Sequence, residues 1–305
     1  MKEAATAKYI ISYLAYGVEA SKYQAILSIY TLCHQLGEAL QDYQVVIYTD
    51  TNRSVLDKYL AGLPVKLEVI SKEQATIYKG ADNYVFRLKP CVMKDYFATY
   101  KQDLFFIDTD TFFLCDPTPL LQSIAPGHSL MNAQEYDFVD GGRVEPMHWF
   151  TLRQGLKKTT YTVFGDTVAI PLSTMMWNSG VIGMSPADAG LIEEMISLND
   201  QLYRECRTFN VEQFAVTYIL QTATQLRSSG DYIDHYWSKY NKNTYNQRIP
   251  GFLKKHAGRP GPALYAQAFA FAQEIRHVLT PHPPLADRIS TRLKMIVKVA
   301  RQGHL

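Results

Sequence analysis

The segment DLFFIDTDTFFL, Asp103–Leu114, decides the fold that the sequence predicts. It places two carboxylates one residue apart, Asp108 and Asp110, inside a run of Phe, Ile and Leu with the composition of a buried strand. An unpaired buried carboxylate is very costly, so both side chains must be hydrogen-bonded, paired with cations or bound to a metal ion. The alternative is a strand-end turn with two solvated acids, which the apolar strand before Asp108 makes the weaker interpretation.

Strands and helices alternate on the N-terminal side of this segment. Short apolar runs are followed by stretches in which apolar residues recur at three- and four-residue steps. Such alternation predicts an α/β fold with a mainly parallel sheet flanked by helices, in which ligands bind beyond the carboxyl ends of the strands. Asp108 stands at that edge. The predicted strands are Tyr9–Tyr16, Val45–Thr49, Val65–Ile70 and Leu104–Ile107, and the predicted helices are Ile26–Leu40, Ser54–Leu60 and Arg87–Tyr100.

The remainder of the chain is less regular. Residues 136–170 lack clean periodicity and are predicted to be an inserted loop region. We expect a main domain over residues 1–250 and a basic helical C-terminal segment over residues 251–305. Further predicted elements are the strands Ser129–Ala133, Ser173–Met184 and Tyr232–Trp237 and the helices that begin at Ser185 and Asn210.

The composition is that of an ordinary globular protein, with 47% hydrophobic and 20% charged residues. No window approaches the roughly 20 apolar residues of a membrane span, and Met1–Lys8 lacks the apolar core of a secretory signal, so we expect a cytoplasmic protein. The cysteines are far apart in the chain, which favours reduced thiols over disulfides or zinc ligands. They are Cys33, Cys91, Cys115 and Cys206.

The C-terminal segment is more basic than the rest of the chain. Residues 251–305 contain nine Lys or Arg against two acids, whereas the whole chain has a net charge of +2. Apolar residues at helical spacing from Leu285 to Val297 lie among basic residues, a pattern closer to an interfacial amphipathic helix than to a nucleic-acid-binding site. We expect peripheral contact with anionic lipid at the inner face of the membrane and no nucleic-acid partner. A terminal helix that packs on the domain, with a solvated basic face, is an equal alternative.

A strand that ends in D-T-D can hold a divalent cation through carboxylate oxygens, and the cation can then bind a substrate phosphate. Without the cation, both acids would repel a diphosphate. Two unit charges 4 Å apart interact by roughly 4 kcal/mol at an effective dielectric constant near 20. A bound cation also stabilises charge on a departing diphosphate. The residues therefore favour a reaction whose leaving group is a nucleoside diphosphate.

The run Arg87–Leu114 resembles the segment that leads into the D-x-D motif of GT-A-type nucleotide-sugar glycosyltransferases, especially the retaining enzymes of family 8. Three later stretches come in the order found in that family. WNSGVIGM (Trp177–Met184) resembles its N-[AS]-G-V strand, and FNVEQFAV (Phe209–Val216) resembles the start of its acidic-Gln helix. DHYWSK (Asp234–Lys239) stands where a metal-binding histidine is expected.

The resemblance implies a GT-A (Rossmann-like) fold and a metal-dependent transferase of hexosyltransferase type. The expected donor is a nucleoside diphosphate sugar with UDP as the nucleotide, the expected acceptor is a saccharide or a glycolipid, and the expected cofactor is Mn²⁺ or Mg²⁺. The metal ligands that the resemblance implies are Asp108, Asp110 and His235. It places Asn178, Glu212 and Gln213 at the reacting sugar. The residues that it assigns to the donor are Ala15, Tyr16, Tyr23, Arg87, Asp108, Thr109 and Lys239.

Several of these assignments have a structural alternative. His235 is followed by none of the family's usual H-x-x-G-x-x-K-P-W pattern, so it could be a hydrogen-bonded core histidine, with His256 as the metal ligand instead. Asn178 could satisfy backbone groups at the start of a strand, and Arg87 could be a surface residue. Asn210-x-x-Gln213 also fits a helix capping box, with Glu212 at the positive end of the helix.

Two other functions remain open at this point. A phosphohydrolase of the haloacid dehalogenase type also has D-x-D after an apolar strand, but it requires Thr where this chain has Phe112. A nucleotide-sugar-binding protein without turnover is the second alternative. For the transferase we expect retention of configuration; inversion would need a carboxylate base, for which Glu135, Asp137 and Asp140 are candidates.

Overall fold

The alternation of strands and helices is present in the computed structural model, which describes residues 7–139, 146–256, 258 and 260–278. The strands in this part of the chain are β1 (Tyr9–Ala15), β2 (Tyr43–Thr49), β3 (Val65–Val69), β4 (Leu104–Ile107), β5 (Thr111–Phe113), β6 (His128–Met131), β7 (Gln134–Tyr136), β8 (Tyr161–Val163), β9 (Asp166–Val168), β10 (Met176–Trp177), β11 (Val181–Met184), β12 (Gln225–Ser228) and β13 (Ile233–His235). The α-helices are α1 (Glu19–Leu36), α2 (Ser54–Tyr59), α3 (Lys72–Lys79), α4 (Leu88–Thr99), α5 (Thr118–Leu121), α6 (Pro146–Lys158), α7 (Leu191–Cys206), α8 (Val211–Ala223), α9 (Lys239–Lys255) and α10 (Pro262–Val278).

Seven of these strands form the main sheet, in the order β12-β6-β11-β4-β1-β2-β3. Strands β3, β2, β1 and β4 are parallel neighbours, β11 is antiparallel to both β4 and β6, and β12 is parallel to β6. The prediction of an α/β fold with a mixed, mainly parallel sheet flanked by helices is confirmed. Asp108 therefore lies at the carboxyl edge of the sheet, next to the point where the strand direction reverses.

Strand β4 shows why the opening segment is apolar at every position. Leu104 and Phe106 belong to the core that α4, α7 and α8 form on one face of the sheet, whereas Phe105 and Ile107 belong to the core that α1, α9 and α10 form on the other. All four side chains are fully buried. Full burial of a side chain of this size contributes about 1.5–3 kcal/mol, so β4 is anchored from both faces.

One predicted strand is two strands in the structure. The prediction of a single strand over Ser173–Met184 is wrong, because β10 pairs with β7 outside the main sheet and β11 lies between β4 and β6. The chain turns between them at residues 178–180, where the Gly180 N–H donates to Asn178 Oδ1 at 2.9 Å. A strand cannot continue through this turn, since the hydrogen bond joins residues only two apart.

Helices α3 and α6 have no counterpart among the predictions from the sequence. Helix α3 follows β3, and helix α6 lies inside the predicted loop region 136–170, together with the β8–β9 hairpin. Gly155 makes α6 hard to predict from the sequence, because glycine disfavours helix interiors. Here the glycine leaves room for a neighbour: a Cβ at Gly155 would lie 2.4 Å from Cys206 Sγ.

The C-terminal part of the described chain is helical, as expected. Helix α9 continues past residue 250, where the boundary between the main domain and the C-terminal segment was expected. Helix α10 packs on α1, and the ring centroids of Tyr265 and Tyr30 are 5.7 Å apart. The expected amphipathic helix from Leu285 to Val297 lies outside the described residues. All four cysteines are free, and Cys115 alone among them is partly exposed. Within the described residues, no helix has the length and apolar composition needed to cross a bilayer.

Candidate active site

The two acids lie between the main sheet and a two-stranded ribbon. Asp108 follows β4, and its backbone N–H donates to the Gly180 carbonyl at 2.9 Å. After Asp110 the chain enters β5, which pairs antiparallel with β13 so that His235 lies opposite Thr111. This pairing brings His235 next to Asp110, although the two residues are far apart in the chain.

Asp108, Asp110 and His235 form a group that could hold a cation. Each offers one ligand atom, and the three atoms lie within 4.8 Å of one another. Two carboxylate oxygens and one imidazole nitrogen suit Mn²⁺ and are compatible with Mg²⁺. The donor set of this chain therefore fits the cofactor that the sequence resemblance implied.

Two lysines stand beside these acids. Lys89 Nζ lies 2.9 Å from Asp108 Oδ1 and 3.0 Å from Oδ2, and it also donates to the carbonyl and the hydroxyl of Ser179 at 3.1 and 3.2 Å. Lys242 Nζ donates to Asp110 Oδ2 at 2.8 Å. Burial by itself would raise the pKa of the Asp110 carboxyl, but His235 and Lys242 lower that pKa well below its ordinary range. Asp110 is therefore ionised and able to bind a cation.

Glu212 faces the same lysine from the N-terminal end of α8. Its carboxylate is buried, and its Oε1 lies 3.6 Å from Lys89 Nζ without accepting a hydrogen bond. Burial raises the pKa of Glu212 to about 7; the nearby Lys89 lowers it and Asp108 raises it. The capping-box alternative is not realised, because Asn210 makes no side-chain cap and Gln213 donates to Glu135 Oε2 at 2.8 Å.

Asn178 is hydrogen-bonded at both ends of its amide. Its Oδ1 lies 2.7 Å from His235 Nδ1 and accepts from the Gly180 N–H at 2.9 Å, and its Nδ2 donates to Glu135 Oε1 at 2.8 Å. The residue is 4% exposed. A chain of hydrogen bonds thus runs from Glu135 through Asn178 to His235, the third residue of the group that could hold a cation.

The residues predicted to lie by the nucleotide follow β1. Ala15 is fully buried, and Tyr16 and Tyr23 are partly exposed. The loop between β1 and α1 is held by Asp50, which accepts from the Gly17 N–H at 2.7 Å and pairs with the fully buried Lys22 at 2.8 Å. Thr109, the middle residue of D-T-D, turns away from the acids and donates to Gln24 Oε1 of α1 at 3.0 Å.

Two other predicted residues, Arg87 and His256, make their described contacts away from Asp108, Asp110 and His235. Arg87 forms a bidentate pair with Asp200 of α7, with distances of 2.7 and 3.0 Å, and also donates to the Tyr78 carbonyl. The ring of His256 packs on Phe252 at the end of α9, with ring centroids 4.7 Å apart. Lys239 is the first residue of α9, and its side chain is outside the described part of the structure.

No family model and no curated protein matches this chain. Solved structures similar to it include the galactosyltransferase LgtC in complex with donor and acceptor sugar analogs, with 11% identity over 72% of this chain and 73% of that chain and a TM-score of 0.49. Mouse xyloside xylosyltransferase 1 in its apo form is 14% identical over 79% of this chain and 92% of that chain, with a TM-score of 0.49. The apo-form glycosyltransferase GlyE of Streptococcus pneumoniae TIGR4 is 10% identical over 83% of this chain and 51% of that chain, with a TM-score of 0.44.

All three are glycosyltransferases. The similarity concerns the arrangement of strands and helices, and at these identities it assigns no role to any residue of this chain. The roles have to be argued from the contacts in the candidate site.

Sequence reasoning missed two residues that contact the acids, Lys89 and Lys242. A signal for Lys89 is visible in the sequence. It shares one face of α4 with Val92, Met93 and Tyr96, at the three-, four- and seven-residue steps of a buried stripe, and a buried lysine requires an acidic partner. Lys242 carries a weaker signal of the same kind, because it is partly buried and stands three and seven residues before the buried Tyr245 and Ile249 of α9.

Proposed function

We propose that the protein is a metal-dependent glycosyltransferase that moves a sugar from a nucleoside diphosphate sugar, with UDP as the nucleotide, to a saccharide or glycolipid acceptor. The observation that supports this function is the group formed by Asp108, Asp110 and His235 at the carboxyl edge of the sheet, with Lys89 and Lys242 beside it. Acidic ligands for a cation, with the ammonium groups of two lysines beside them, suit the binding of a diphosphate.

The charges of the site support the choice of leaving group. Asp108 and Asp110 alone would repel a diphosphate, whereas a divalent cation held by them and by His235 attracts it. When bound, Mn²⁺ or Mg²⁺ stabilises the negative charge that develops on the departing diphosphate. Lys242 is 42% exposed at its side chain and contacts Asp110, so we propose that its ammonium group also contacts the diphosphate oxygens.

The transfer breaks the bond between the anomeric carbon and the phosphate oxygen and forms a bond from that carbon to the acceptor oxygen. We propose that the acceptor proton passes to the departing phosphate oxygen and that configuration is retained. This is supported by the contacts of Glu135, because both of its oxygens accept hydrogen bonds from amides, those of Asn178 and Gln213. A carboxylate engaged in this way is poorly placed to act as the base that inversion needs.

The function is tested by incubating the protein with a panel of nucleoside diphosphate sugars, with and without Mn²⁺. We expect one donor to bind in calorimetry only when Mn²⁺ is present, and to release its nucleoside diphosphate and its sugar slowly to water. Asp110→Asn should reduce both binding and release by 100-fold or more, about 3 kcal/mol. Release of inorganic phosphate from phosphate monoesters would indicate the phosphohydrolase, and Mn²⁺-dependent binding without any release would indicate a binding protein.

Retention is tested on the same reaction. The anomeric configuration of the first sugar released from the donor is read by proton NMR before it mutarotates. We expect the configuration of the donor. The opposite anomer would overturn the retaining mechanism and would require a free carboxylate near the acceptor.

A further inference from the structure

We propose that Asn178, itself held by Glu135, is a positioning residue that keeps His235 protonated on Nδ1 and directs its Nε2 at Asp110 as a ligand for the cation. The inference rests on the metal site of the proposed function. It gives Asn178 and Glu135 roles different from contact with the sugar and from general base catalysis.

The orientation of the Asn178 amide follows from its neighbours. The backbone N–H of Gly180 can only donate, and it lies 2.9 Å from one amide atom, which must be the oxygen. The Glu135 carboxylate can only accept when it is ionised, and it lies 2.8 Å from the other amide atom, which must be the nitrogen. A flipped amide would place a donor against a donor on one side and an acceptor against an acceptor on the other.

This orientation determines the tautomer of His235. Since Asn178 Oδ1 is an acceptor, His235 Nδ1, at 2.7 Å, must carry a proton. A neutral imidazole with its proton on Nδ1 has a lone pair on Nε2, and Nε2 lies 3.5 Å from Asp110 Oδ1. In this tautomer the Nε2 lone pair faces the Asp110 carboxylate, and a cation bound between the two atoms would be a ligand of both.

Gly180 leaves the space that the imidazole ring of His235 occupies. A Cβ at Gly180 would lie 2.1 Å from His235 Nδ1 and 2.4 Å from its Cε1, so the ring rests directly on the glycine backbone. The turn from Asn178 to Gly180 thus supplies both the acceptor for Nδ1 and the space for the ring. This explains in physical terms why an Asn and a Gly stand two residues apart between β10 and β11.

The first test reads metal affinity without any sugar donor. Free Mn²⁺ is measured by electron paramagnetic resonance during titration of the wild type, Asn178→Leu and the double variant Asn178→Asp with Glu135→Gln. Loss of such an orienting partner typically costs 10–100-fold in metal affinity, and we expect about that loss for Asn178→Leu. The double variant should restore the affinity. An Asp at position 178 still accepts a hydrogen bond from the Nδ1–H of His235, and a Gln at position 135 can donate a hydrogen bond to that Asp. Equal affinity of wild type and Asn178→Leu would overturn the inference.

The second test reads the wild type itself and uses a variant only to assign the signals. In metal-free, ¹⁵N-histidine-labelled wild type, the His235 signals are assigned by their absence from His235→Asn. At a pH above which these signals no longer move, we expect the proton on Nδ1, whereas a free neutral imidazole prefers it on Nε2. A proton on Nε2 would contradict the inference.

Failure of the proposed function would look different. A wild type that binds Mn²⁺ and responds to Asn178→Leu, but releases no sugar from any donor, would defeat the transferase and leave the inference standing. A wild type with no affinity for Mn²⁺ would overturn the metal site, and the role of Asn178 toward a bound cation with it.

Discussion

Lys89 is the residue on which the charge balance of the site depends. Its side chain is 10% exposed, and it lies against Asp108 on one side and Glu212 on the other. Burial lowers the pKa of Lys89, but the two carboxylates more than offset this and the pKa is raised. One ammonium group is thus the nearest cation for two carboxylates. The burial of Glu212 is less well offset than that of Asp108, because Glu212 Oε1 accepts no hydrogen bond.

A pH dependence of stability follows for Glu212. Its pKa in the folded protein is raised to about 7, above the ordinary value of 4.5, because the carboxyl is buried. The folded state therefore binds this proton more tightly, so the stability contribution is present below about pH 4.5 and is lost as the pH rises through about 7. We expect the unfolding free energy of metal-free wild type to fall relative to Glu212→Gln between pH 5 and 8, by at most about 3 kcal/mol.

Thermal unfolding of both proteins across this pH range measures the effect. Glu38→Gln is the matched control, since Glu38 is exposed, and its difference from wild type should stay nearly constant. A Glu212→Gln difference as flat as that of the control would contradict the prediction.

Gly180 provides a second prediction at this scale. Gly180→Ala places a methyl group where the His235 ring now lies, so the ring must move. We expect the unfolding free energy to fall by about 1–3 kcal/mol and Mn²⁺ affinity to fall with it. Gly251→Ala is the control: it lies inside α9 with nothing within 4 Å of the added Cβ, and it should raise stability by up to about 1 kcal/mol. Unchanged Mn²⁺ affinity in Gly180→Ala would show that the ring tolerates the displacement.

At the scale of elements, helices α4 and α7 are joined by an ion pair that the sequence did not indicate. Arg87 stands just before α4 and forms its bidentate contact with Asp200 in the middle of α7, while its third nitrogen reaches the end of α3 through the Tyr78 carbonyl. The family resemblance assigned Arg87 to the diphosphate or the sugar of the donor, and that assignment remains a prediction. The contacts favour an anchor between three helices.

The two interpretations differ in a measurable way. If Arg87 is an anchor, Arg87→Lys and Asp200→Asn should each lower the unfolding free energy by about 1 kcal/mol, because the pair is partly exposed, and should leave donor affinity unchanged. If Arg87 binds the donor, Arg87→Lys alone should weaken donor binding in calorimetry. Asp82→Asn, which removes the partner of the exposed Arg207, is the control for a surface pair and should change stability by less than about 0.5 kcal/mol.

The sequence predicted the elements best where a strand is buried on both faces. Leu104–Ile107 was predicted with its observed limits, because a continuous apolar run bounded by acids has few other interpretations. The turn at Asn178 to Gly180 was not predicted, since its apolar neighbours on both sides have strand character. In the site, Asp108, Asp110 and His235 were predicted and are close together, whereas Lys89 and Lys242 were missed although both are spaced with buried residues of their helices.

At the scale of the whole molecule, the expected membrane contact concerns residues beyond those described. The apolar stripe from Leu285 to Val297 with basic residues around it should bind anionic vesicles. We expect the full chain to sediment with vesicles that contain phosphatidylserine, and a chain that ends at Pro284 to remain in the supernatant. Neutral vesicles and high salt are the controls, because either should release the full chain. Equal sedimentation of both chains would assign the basic surface to another role.

The order of the ligands along the chain has a consequence for how the protein is made. The last strand of the main sheet, β12, ends at Ser228, before His235 and Lys242 have left the ribosome. Since domains begin to fold from the N-terminus during translation, a nascent chain can complete its sheet while the cation site still lacks its imidazole. Binding of a cation by all three proposed ligands would then require synthesis at least as far as His235, seven residues beyond the end of β12.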